Sequence, residues 1–298
     1  MTAVREVTEL ITDGPAQALA GLLGVPEPAG AGEGLPLLWH WVYLLDRPPQ
    51  AALGPDGHPA VGAIPAPPGP GMRRMFAGGR VRQHGPLRTG ETATRRAWQA
   101  SSTVKQGRSG PLHFITVRTE IRQAGQVVIT EEQDLVYRQP IRPTGGLVQE
   151  PGGPAQAPGG PGQAAGPPGQ AAGAEQPGGT RDWPVEVNPV LLFRFSALTY
   201  NAHRIHYDRA YAQDVEGYPG LVVHGPLQAL LMAELARREA ARPALRDYSY
   251  RLVAPLFDKQ GLIVSVTPEG PVYMVRTSDS AGRTTASGVI KPASDLTD

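Results

Sequence analysis

Hydrophobic and polar positions alternate over long stretches in each half of this 298-residue chain. In "HFITVRTEIRQAGQVVITEEQDLVY", Ile115, Val117 and Ile121 alternate with other positions, and "QAGQ" supplies a turn before the pattern resumes. This period of two residues predicts a pair of β-strands. Upstream, "MRRMFAGGRVR" and "TATRRAWQASSTVK" predict two more, preceded by the apolar segments "AQALAGLLG" and "LPLLWHWVYLL". The first half is therefore predicted to contain one or two helices followed by an antiparallel meander.

The second half repeats this order of elements. In "HGPLQALLMAELARREAAR", Leu227, Leu230, Leu231 and Leu235 share one helical face. Strands are predicted after it in "RDYSYRLVAPL", "GLIVSVTPEG" and "PVYMVRTSDSAGRTTASGVI". Two halves with helices first and antiparallel strands afterwards indicate an α+β fold with an internal structural duplication.

Two Pro/Gly-rich segments interrupt these patterns. Residues 139–180 are dominated by Pro, Gly, Ala and Gln, which is typical of a flexible linker. We therefore expect a first domain at 1–138 and a second at 181–298. The other segment, "PPQAALGPDGHPAVGAIPAPPGPGM" at 48–72, is too rich in proline for a helix and is expected to lie over the surface of the first domain.

Composition excludes several classes of function. The 28 Lys and Arg residues balance 27 Asp and Glu residues, so the net charge of +1 predicts no binding to nucleic acid or to an anionic membrane. The absence of cysteine excludes disulfides, thiolate metal sites and a cysteine nucleophile. "LPLLWHWVYLL" is well short of the roughly 20 residues that span a bilayer, and the N-terminus does not resemble a signal peptide. We expect a soluble, cytoplasmic protein.

The densest group of chemically active side chains is "YNAHRIHYDRAYA", residues 200–212. A histidine here can exchange protons near neutral pH, since an unperturbed imidazole has a pKa of about 6.5. His203 and His206 with Asp208 also raise the question of a zinc site. No further ligand is clearly spaced in the sequence, so a metal is not expected.

Two separated motifs give this segment a family resemblance. "FRFSALTYNAHRIHYDRAYA" followed by "YPGLVVHGPLQALLM" resembles the hydratase signature of MaoC-like proteins. The branch it resembles contains the type 2 hydroxyacyl-thioester dehydratases and the mesaconyl-C4-CoA (3-methylfumaryl-CoA) hydratases. "LPLLWHWVYLL", "RRMFAGGRVR", "GPLRTGE", "KQGRSGPLHFITVRTE" and "EEQDLVYR" resemble the N-terminal domain of the same branch. The resemblance implies a double hotdog, in which a catalytic second half is joined to a degenerate first half.

The resemblance also implies an activity and a set of catalytic residues. The family adds water reversibly, without a cofactor, across the 2,3-double bond of an enoyl thioester carried by CoA or acyl carrier protein. His206 matches its catalytic histidine. Asn201 stands where the wider family has an aspartate, so it is expected to place water rather than to act as a base. The Gly225 amide, at the start of a helix, is expected to stabilise the enolate oxygen of the thioester.

Three neighbouring residues are expected to bind substrate. His203 is placed to assist proton transfer, Arg204 to pair with a substrate carboxylate or a CoA phosphate, and His224 borders the glycine of the oxyanion site. Asp208 is expected to cap the following helix or to orient a histidine ring rather than to transfer a proton. A homodimer is compatible with the sequence.

The best-fitting activity implied by the resemblance is hydration of mesaconyl-C4-CoA to citramalyl-CoA. Three alternatives stay open: a (3R)-hydroxyacyl-thioester dehydratase of fatty-acid synthesis, a thioesterase on the same fold, and a catalytically inactive module that binds acyl thioesters.

Overall fold

A computed structural model describes residues 4–28, 34–60, 62, 64–65, 67–69, 72–107, 110–139, 179–240 and 245–292. Residues 140–178, on which most of the predicted linker falls, lie outside the described residues. The strands are β1 (Arg5–Leu10), β2 (Arg73–Gln83), β3 (Thr92–Gly107), β4 (Gly110–Gln123), β5 (Gln126–Arg138), β6 (Arg181–Val185), β7 (Leu245–Leu252), β8 (Leu262–Glu269), β9 (Val272–Ser278) and β10 (Thr284–Pro292). The helices are α1 (Asp13–Leu23), α2 (Pro189–Leu198) and α3 (Gly225–Glu239).

All ten strands form one antiparallel sheet in the order β1-β3-β4-β5-β2-β7-β10-β9-β8-β6. The two halves have the same strand order. Counted inward from the two edges of the sheet, the first half runs β1, β3, β4, β5, β2 and the second half runs β6, β8, β9, β10, β7. The predicted internal duplication and α+β class are therefore confirmed. The predicted simple meander is wrong in one respect: β3, β4 and β5 are consecutive neighbours, but β2 pairs with β5 at the centre of the sheet.

The burial of side chains along β4 explains why the alternating pattern predicted this strand correctly. Ile115, Val117, Thr119 and Ile121 are all buried, and the residues between them are more exposed. Strands β1 and β6 were not predicted from the sequence. Both are short edge strands whose side chains are mostly partly or fully exposed, so they carry little apolar alternation.

Helix α3 lies against the second half of the sheet. It packs against β8, β9 and β10 and also contacts β2 and β7. Its predicted apolar face, formed by Leu227, Leu230, Leu231 and Leu235, is buried. Gln228, on the same side of the helix as Leu231 and Leu235, is also buried and accepts hydrogen bonds from Thr277 and Thr285.

Helix α1 of the first half lies beside a helix of the second half. Helix α1 packs against α2 and against the 3₁₀ turn Trp39–Val42, which is the helical part of "LPLLWHWVYLL". Helix α2 was not predicted. It begins at Pro189, where a proline needs no amide partner, and the side chain of Asn188 accepts a hydrogen bond from the Leu191 amide at 2.9 Å.

The two halves meet where β2 pairs with β7. Gly78 permits the close approach, because a Cβ there would lie 2.3 Å from the Tyr250 carbonyl oxygen, and its φ of 153° is one that side chains disfavour. Arg82 makes a two-pronged ion pair with Asp247 across the seam, at 2.9 and 3.0 Å. Buried apolar residues of both halves form one continuous core. In the described part of the chain, no helix is long and apolar enough to cross a membrane.

Candidate active site

The segment after α2 turns sharply and is held by its own side chains. Tyr200 adopts a positive φ of 53°, and the Asn201 amide donates to the Ser196 carbonyl at 2.8 Å. The Asn201 side-chain oxygen then accepts a hydrogen bond from the His203 amide at 3.0 Å. Asn201 thus uses its oxygen to shape the turn, and its side-chain NH2 group remains the part that can contact a ligand.

His206 is fixed in one tautomer. Its Nδ1 lies 2.7 Å from the Val222 carbonyl oxygen, which can only accept, so Nδ1 carries the proton and Nε2 carries the lone pair. The Val222 amide in turn donates to the Ile205 carbonyl at 3.0 Å, which holds the two segments together. Burial lowers the pKa of His206 to about 4, against the opposing effect of the hydrogen bond to Val222. The residue is therefore neutral at pH 7 and presents Nε2 as a base.

His224 stacks directly on His206. The ring centroids are 3.6 Å apart and the planes differ by 19°. One ring nitrogen, Nε2, lies 2.9 Å from the Ser196 hydroxyl oxygen. The other, Nδ1, is buried and has no hydrogen-bond partner among the described residues. Burial, with the neighbouring His206 and His203, holds the pKa of His224 well below its ordinary value.

Helix α3 begins immediately after His224. The Gly225 amide makes no hydrogen bond to any residue that the structure describes, as expected for the first amide of a helix. A Cβ at this position would lie 3.0 Å from Phe76 Cδ1 and 3.2 Å from Leu252 Cγ. Phe76 on β2 and Leu252 on β7 thus close the space around this helix start from both halves of the chain.

A loop from the first half reaches the same place. Residues 54–58 form a tight turn in which the Gly54 amide donates to the His58 carbonyl at 2.7 Å. The Arg204 amide donates to the Asp56 carbonyl at 2.9 Å. Gly57 has a φ of 89°, and a Cβ on it would lie 1.8 Å from the Ala202 carbonyl oxygen. The prediction that this Pro/Gly-rich segment only covers the surface of the first domain is therefore wrong, because its backbone docks on the histidine segment.

This loop adds a carboxylate and an imidazole to the site. The Asp56 carboxylate lies 2.9 Å from His58 Nδ1 and also accepts the His58 amide at 3.0 Å. Burial raises the pKa of Asp56, but the hydrogen bonds and charge of His58 outweigh it and hold that pKa below its ordinary value. The pKa of His58 is lowered because burial outweighs the effect of Asp56. The sequence analysis missed Asp56 and His58, because it assigned their whole Pro/Gly-rich segment to the surface of the first domain.

The four imidazoles form a continuous row. The His58 and His203 centroids are 3.9 Å apart with planes tilted by 35°, and the His203 and His206 centroids are 5.3 Å apart with perpendicular rings. Burial and the neighbouring histidines hold the pKa of His203 well below its ordinary value. His206 and His224 complete the row. The structure therefore brings together the predicted residues His203, His206 and His224 with the start of α3.

Asp56, His58 and His203 each offer a ligand atom, and these atoms lie within 4.8 Å of one another. Two imidazoles and a carboxylate are a ligand set that zinc accepts. The structure thus supplies the further ligands that the sequence did not reveal. The two rings are tilted by 35°, and the Asp56 carboxylate already bonds His58 Nδ1 at 2.9 Å. The arrangement is compatible with proton transfer as well as with metal binding.

Arg204 has a different environment from the one predicted for a substrate-binding cation. Its guanidinium donates to Asp208 at 2.8 and 3.0 Å and to the Pro55 carbonyl at 3.1 Å, and it lies over the Tyr211 ring. These contacts fasten the first-half loop to the histidine segment. Asp208 also accepts the Tyr211 amide at 3.0 Å, which confirms its predicted capping role.

Comparison with known proteins gives the family. Residues 38–258 match the family described as hydroxyacyl-thioester dehydratase type 2. The chain is 46% identical over 279 residues to mesaconyl-C(4)-CoA hydratase of Chloroflexus aurantiacus, which covers 93% of this chain and 91% of that protein.

Solved structures support the fold. HtdX of Mycobacterium tuberculosis superposes with a TM-score of 0.62 at 15% identity, over 97% of this chain and all of the other. A conserved hypothetical protein of the same organism, described as a double hotdog, gives 0.54 at 17% identity, over 98% of this chain and 95% of the other. The predicted double hotdog is confirmed, and the chain belongs to the type 2 hydroxyacyl-thioester dehydratase family.

Proposed function

We propose that this protein adds water reversibly to a 2-enoyl-CoA thioester and that its preferred reaction is hydration of mesaconyl-C4-CoA to citramalyl-CoA. The observation that carries the proposal is the fixed tautomer of His206. Val222 holds Nδ1–H, so the unprotonated Nε2 is available as a base next to the start of α3. The 46% identity to a mesaconyl-C(4)-CoA hydratase supports this choice of substrate.

The hydration step follows from these positions. His206 Nε2 takes a proton from water while the oxygen forms a bond to C3 of the enoyl group. The π electrons of the C2–C3 double bond move toward the thioester oxygen, which becomes enolate-like. The Gly225 amide, at the positive end of α3, stabilises that charge. A proton then adds to C2, so water is consumed and no other reactant is needed.

Three further residues support this reaction in the proposal. Asn201 uses its side-chain NH2 group to place the water, since its oxygen is occupied by the His203 amide. His203 assists proton movement beside His206. His224 keeps His206 in place by stacking, and its buried Nδ1 has no hydrogen-bond partner among the described residues.

Mesaconyl-C4-CoA carries a carboxylate on the carbon that water attacks, so a cation is needed close to His206. Arg204 is paired with Asp208, which makes it a poor candidate. Arg74 on β2 is a better one. It donates to the Tyr137 hydroxyl at 3.0 Å and to the Pro65 carbonyl at 3.2 Å. Both partners are neutral, so they leave the Arg74 charge uncompensated, and this charge contributes to lowering the pKa of both His58 and His203.

An absorbance assay with purified protein tests the proposal. Loss of the enoyl-thioester absorbance with mesaconyl-C4-CoA, at a higher kcat/KM than with crotonyl-CoA, is expected. Arg74→Gln should raise KM for mesaconyl-C4-CoA about tenfold or more and leave crotonyl-CoA nearly unchanged, because a charge-assisted hydrogen bond is worth about 1.5 kcal/mol or more.

The family membership supports a second candidate, dehydration of a 3-hydroxyacyl thioester. Faster turnover of crotonyl-CoA and longer enoyl thioesters than of mesaconyl-C4-CoA would favour it. Release of CoA would indicate a thioesterase, and binding without turnover would indicate an inactive module. The cytoplasmic location predicted from the sequence, and the homodimer with which the sequence is compatible, belong to the same proposal, and light scattering of the purified protein tests the dimer.

A further inference from the structure

We infer that Asp56 and His58, from the first half of the chain, form a second acid–base pair of this active site, in which His58 transfers a proton and Asp56 positions it. The inference rests on the proposed hydratase function. It assigns to the half that was expected to be degenerate a direct part in the reaction.

The hydrogen bonds fix the tautomer of His58. An ionised carboxylate only accepts, so the 2.9 Å contact between Asp56 and His58 requires the proton to be on Nδ1. Nε2 then carries the lone pair. An aspartate that holds Nδ1–H and stabilises the imidazolium is the division of roles known from Asp–His pairs in hydrolases.

The nitrogen atoms that would exchange protons are available. Among the described residues, none forms a hydrogen bond with His58 Nε2 or with either ring nitrogen of His203. The His58 side chain is 18% exposed, so it borders solvent while its ring packs on His203. His203 in turn touches the edge of His206. A proton on His206 can therefore reach His58 through His203 or through water between the rings.

The position of His58 is imposed by the backbone. The Asp56 carbonyl accepts the Arg204 amide, and the Gly57–Ala202 approach leaves no room for a Cβ. The Asp56 carboxylate accepts both the His58 amide and the His58 ring. These contacts explain why a Pro/Gly-rich loop presents an imidazole in one orientation.

The pair completes the proton balance of hydration. His206 takes one proton from water as the C3–O bond forms. That proton passes through His203 to His58, where the Asp56 carboxylate stabilises the imidazolium while the enolate exists. His58 then delivers the proton to C2 and returns to its neutral form. In this proton path, Asp56 supplies the carboxylate that Asn201 cannot provide.

His58→Gln and Asp56→Asn test the inference, with His84→Gln as the matched control. His84 is another first-half histidine, bonded to Thr130 away from the histidine row. We expect kcat on the preferred enoyl-CoA to fall about 100-fold in His58→Gln, within the usual range for a proton-transfer group, with KM within about threefold. His84→Gln should match the unmodified protein. Equal kcat values for His58→Gln and His84→Gln would overturn the inference.

Two readouts separate proton transfer from a structural role. Asp56→Asn should move the acid limb of kcat/KM to lower pH, because loss of the carboxylate disfavours the His58 imidazolium. Added imidazole should restore at least tenfold activity to His58→Ala and none to His206→Ala, where the stacked site is closed. If His58→Gln fails to fold, the near-isosteric Asp56→Asn still decides, and an unshifted limb would refute the assignment.

The remaining outcomes are also decisive. Loss of activity in EDTA, its return with Zn²⁺, and loss of zinc binding in His58→Gln would replace the proton-transfer pair by a metal site. If His206→Ala is inactive while His58→Gln is fully active, the proposed function stands and this inference fails. If the unmodified protein hydrates no enoyl-CoA, both fail.

Discussion

Each half of the chain has a polar cluster that contains buried histidine, and the two clusters differ in how completely their polar atoms are bonded. In the first half, His40 Nε2 lies 3.0 Å from Glu131, and the Trp41 indole and the Gln133 amide donate to the same carboxylate, each at 2.8 Å. Burial raises the pKa of Glu131, but these hydrogen bonds outweigh it and lower that pKa. The Glu131 carboxylate thus accepts three hydrogen bonds, and we call this group the closed cluster.

In the second half, the cluster is open. His206 uses Nδ1 alone, His224 has a buried Nδ1 without a partner among the described residues, and His203 bonds only through its backbone. A buried polar atom that lacks a partner destabilises the fold unless a ligand or water supplies one. We therefore interpret the closed cluster as support for the structure and the open cluster as the site of chemistry.

The largest expected effect is at the open cluster. His206→Ala should lower kcat about 10²- to 10⁴-fold, since it removes the base. Enoyl-CoA turnover by absorbance is the measurement, and His84→Ala is the control. Near-normal turnover in His206→Ala would remove the distinction between the two clusters.

A substitution in the closed cluster should lower the stability of the fold rather than the activity. Glu131→Ala leaves the buried His40 ring and the partly buried Trp41 donor without their partner, so the free energy of unfolding should fall by about 3 kcal/mol or more. Urea unfolding measures this, and kcat per folded molecule should stay within about twofold. The control is Glu132→Ala, whose carboxylate faces solvent beside Arg80 and should contribute below about 1 kcal/mol. A specific loss of kcat in Glu131→Ala would show that the closed cluster also takes part in chemistry.

The open cluster should also determine how kcat/KM and stability depend on pH. Both His206 and His58 must be neutral to accept a proton, and burial lowers the pKa of both, that of His206 to about 4, so the acid limb of kcat/KM should lie below pH 6.5. In the unfolded chain a histidine has a pKa of about 6.5 and binds more protons below that pH, so stability should decline as pH falls from 6.5 toward 4. Circular dichroism at each pH separates unfolding from titration. An acid limb near 6.5 in the folded protein contradicts this placement of His206.

The smallest effect is expected at the junction between the loop and the open cluster. Arg204→Gln should lower stability by about 1 kcal/mol, since a partly exposed ion pair with Asp208 is lost. The preference for mesaconyl-C4-CoA over crotonyl-CoA should not change. A selective rise in KM for the carboxylated substrate would return Arg204 to the role of substrate cation and would weaken the case for Arg74.

Local patterns predicted most of the central strands and α3, because burial on one face leaves a period in the sequence. Ile115, Val117 and Ile121 of β4 are an example. The edge strands β1 and β6 bury too little to leave such a period. His203, His206 and His224 were identified because two motifs placed them near one helix start. Asp56 and His58 were not, since their role depends on Gly57 docking against Ala202, 145 residues later in the chain, and no local pattern records a tertiary contact of that kind.

Strands β2 and β7 join the two halves of the chain edge to edge. The halves share one sheet, one core and one row of histidines, while the covalent connection between them runs through a Pro/Gly-rich segment with little to bury. We therefore expect residues 1–139 and 179–298, produced as two polypeptides, to be insoluble or inactive apart and active when expressed together. On this expectation, each half depends on the other for folding, as the subunits of an obligate heterodimer do.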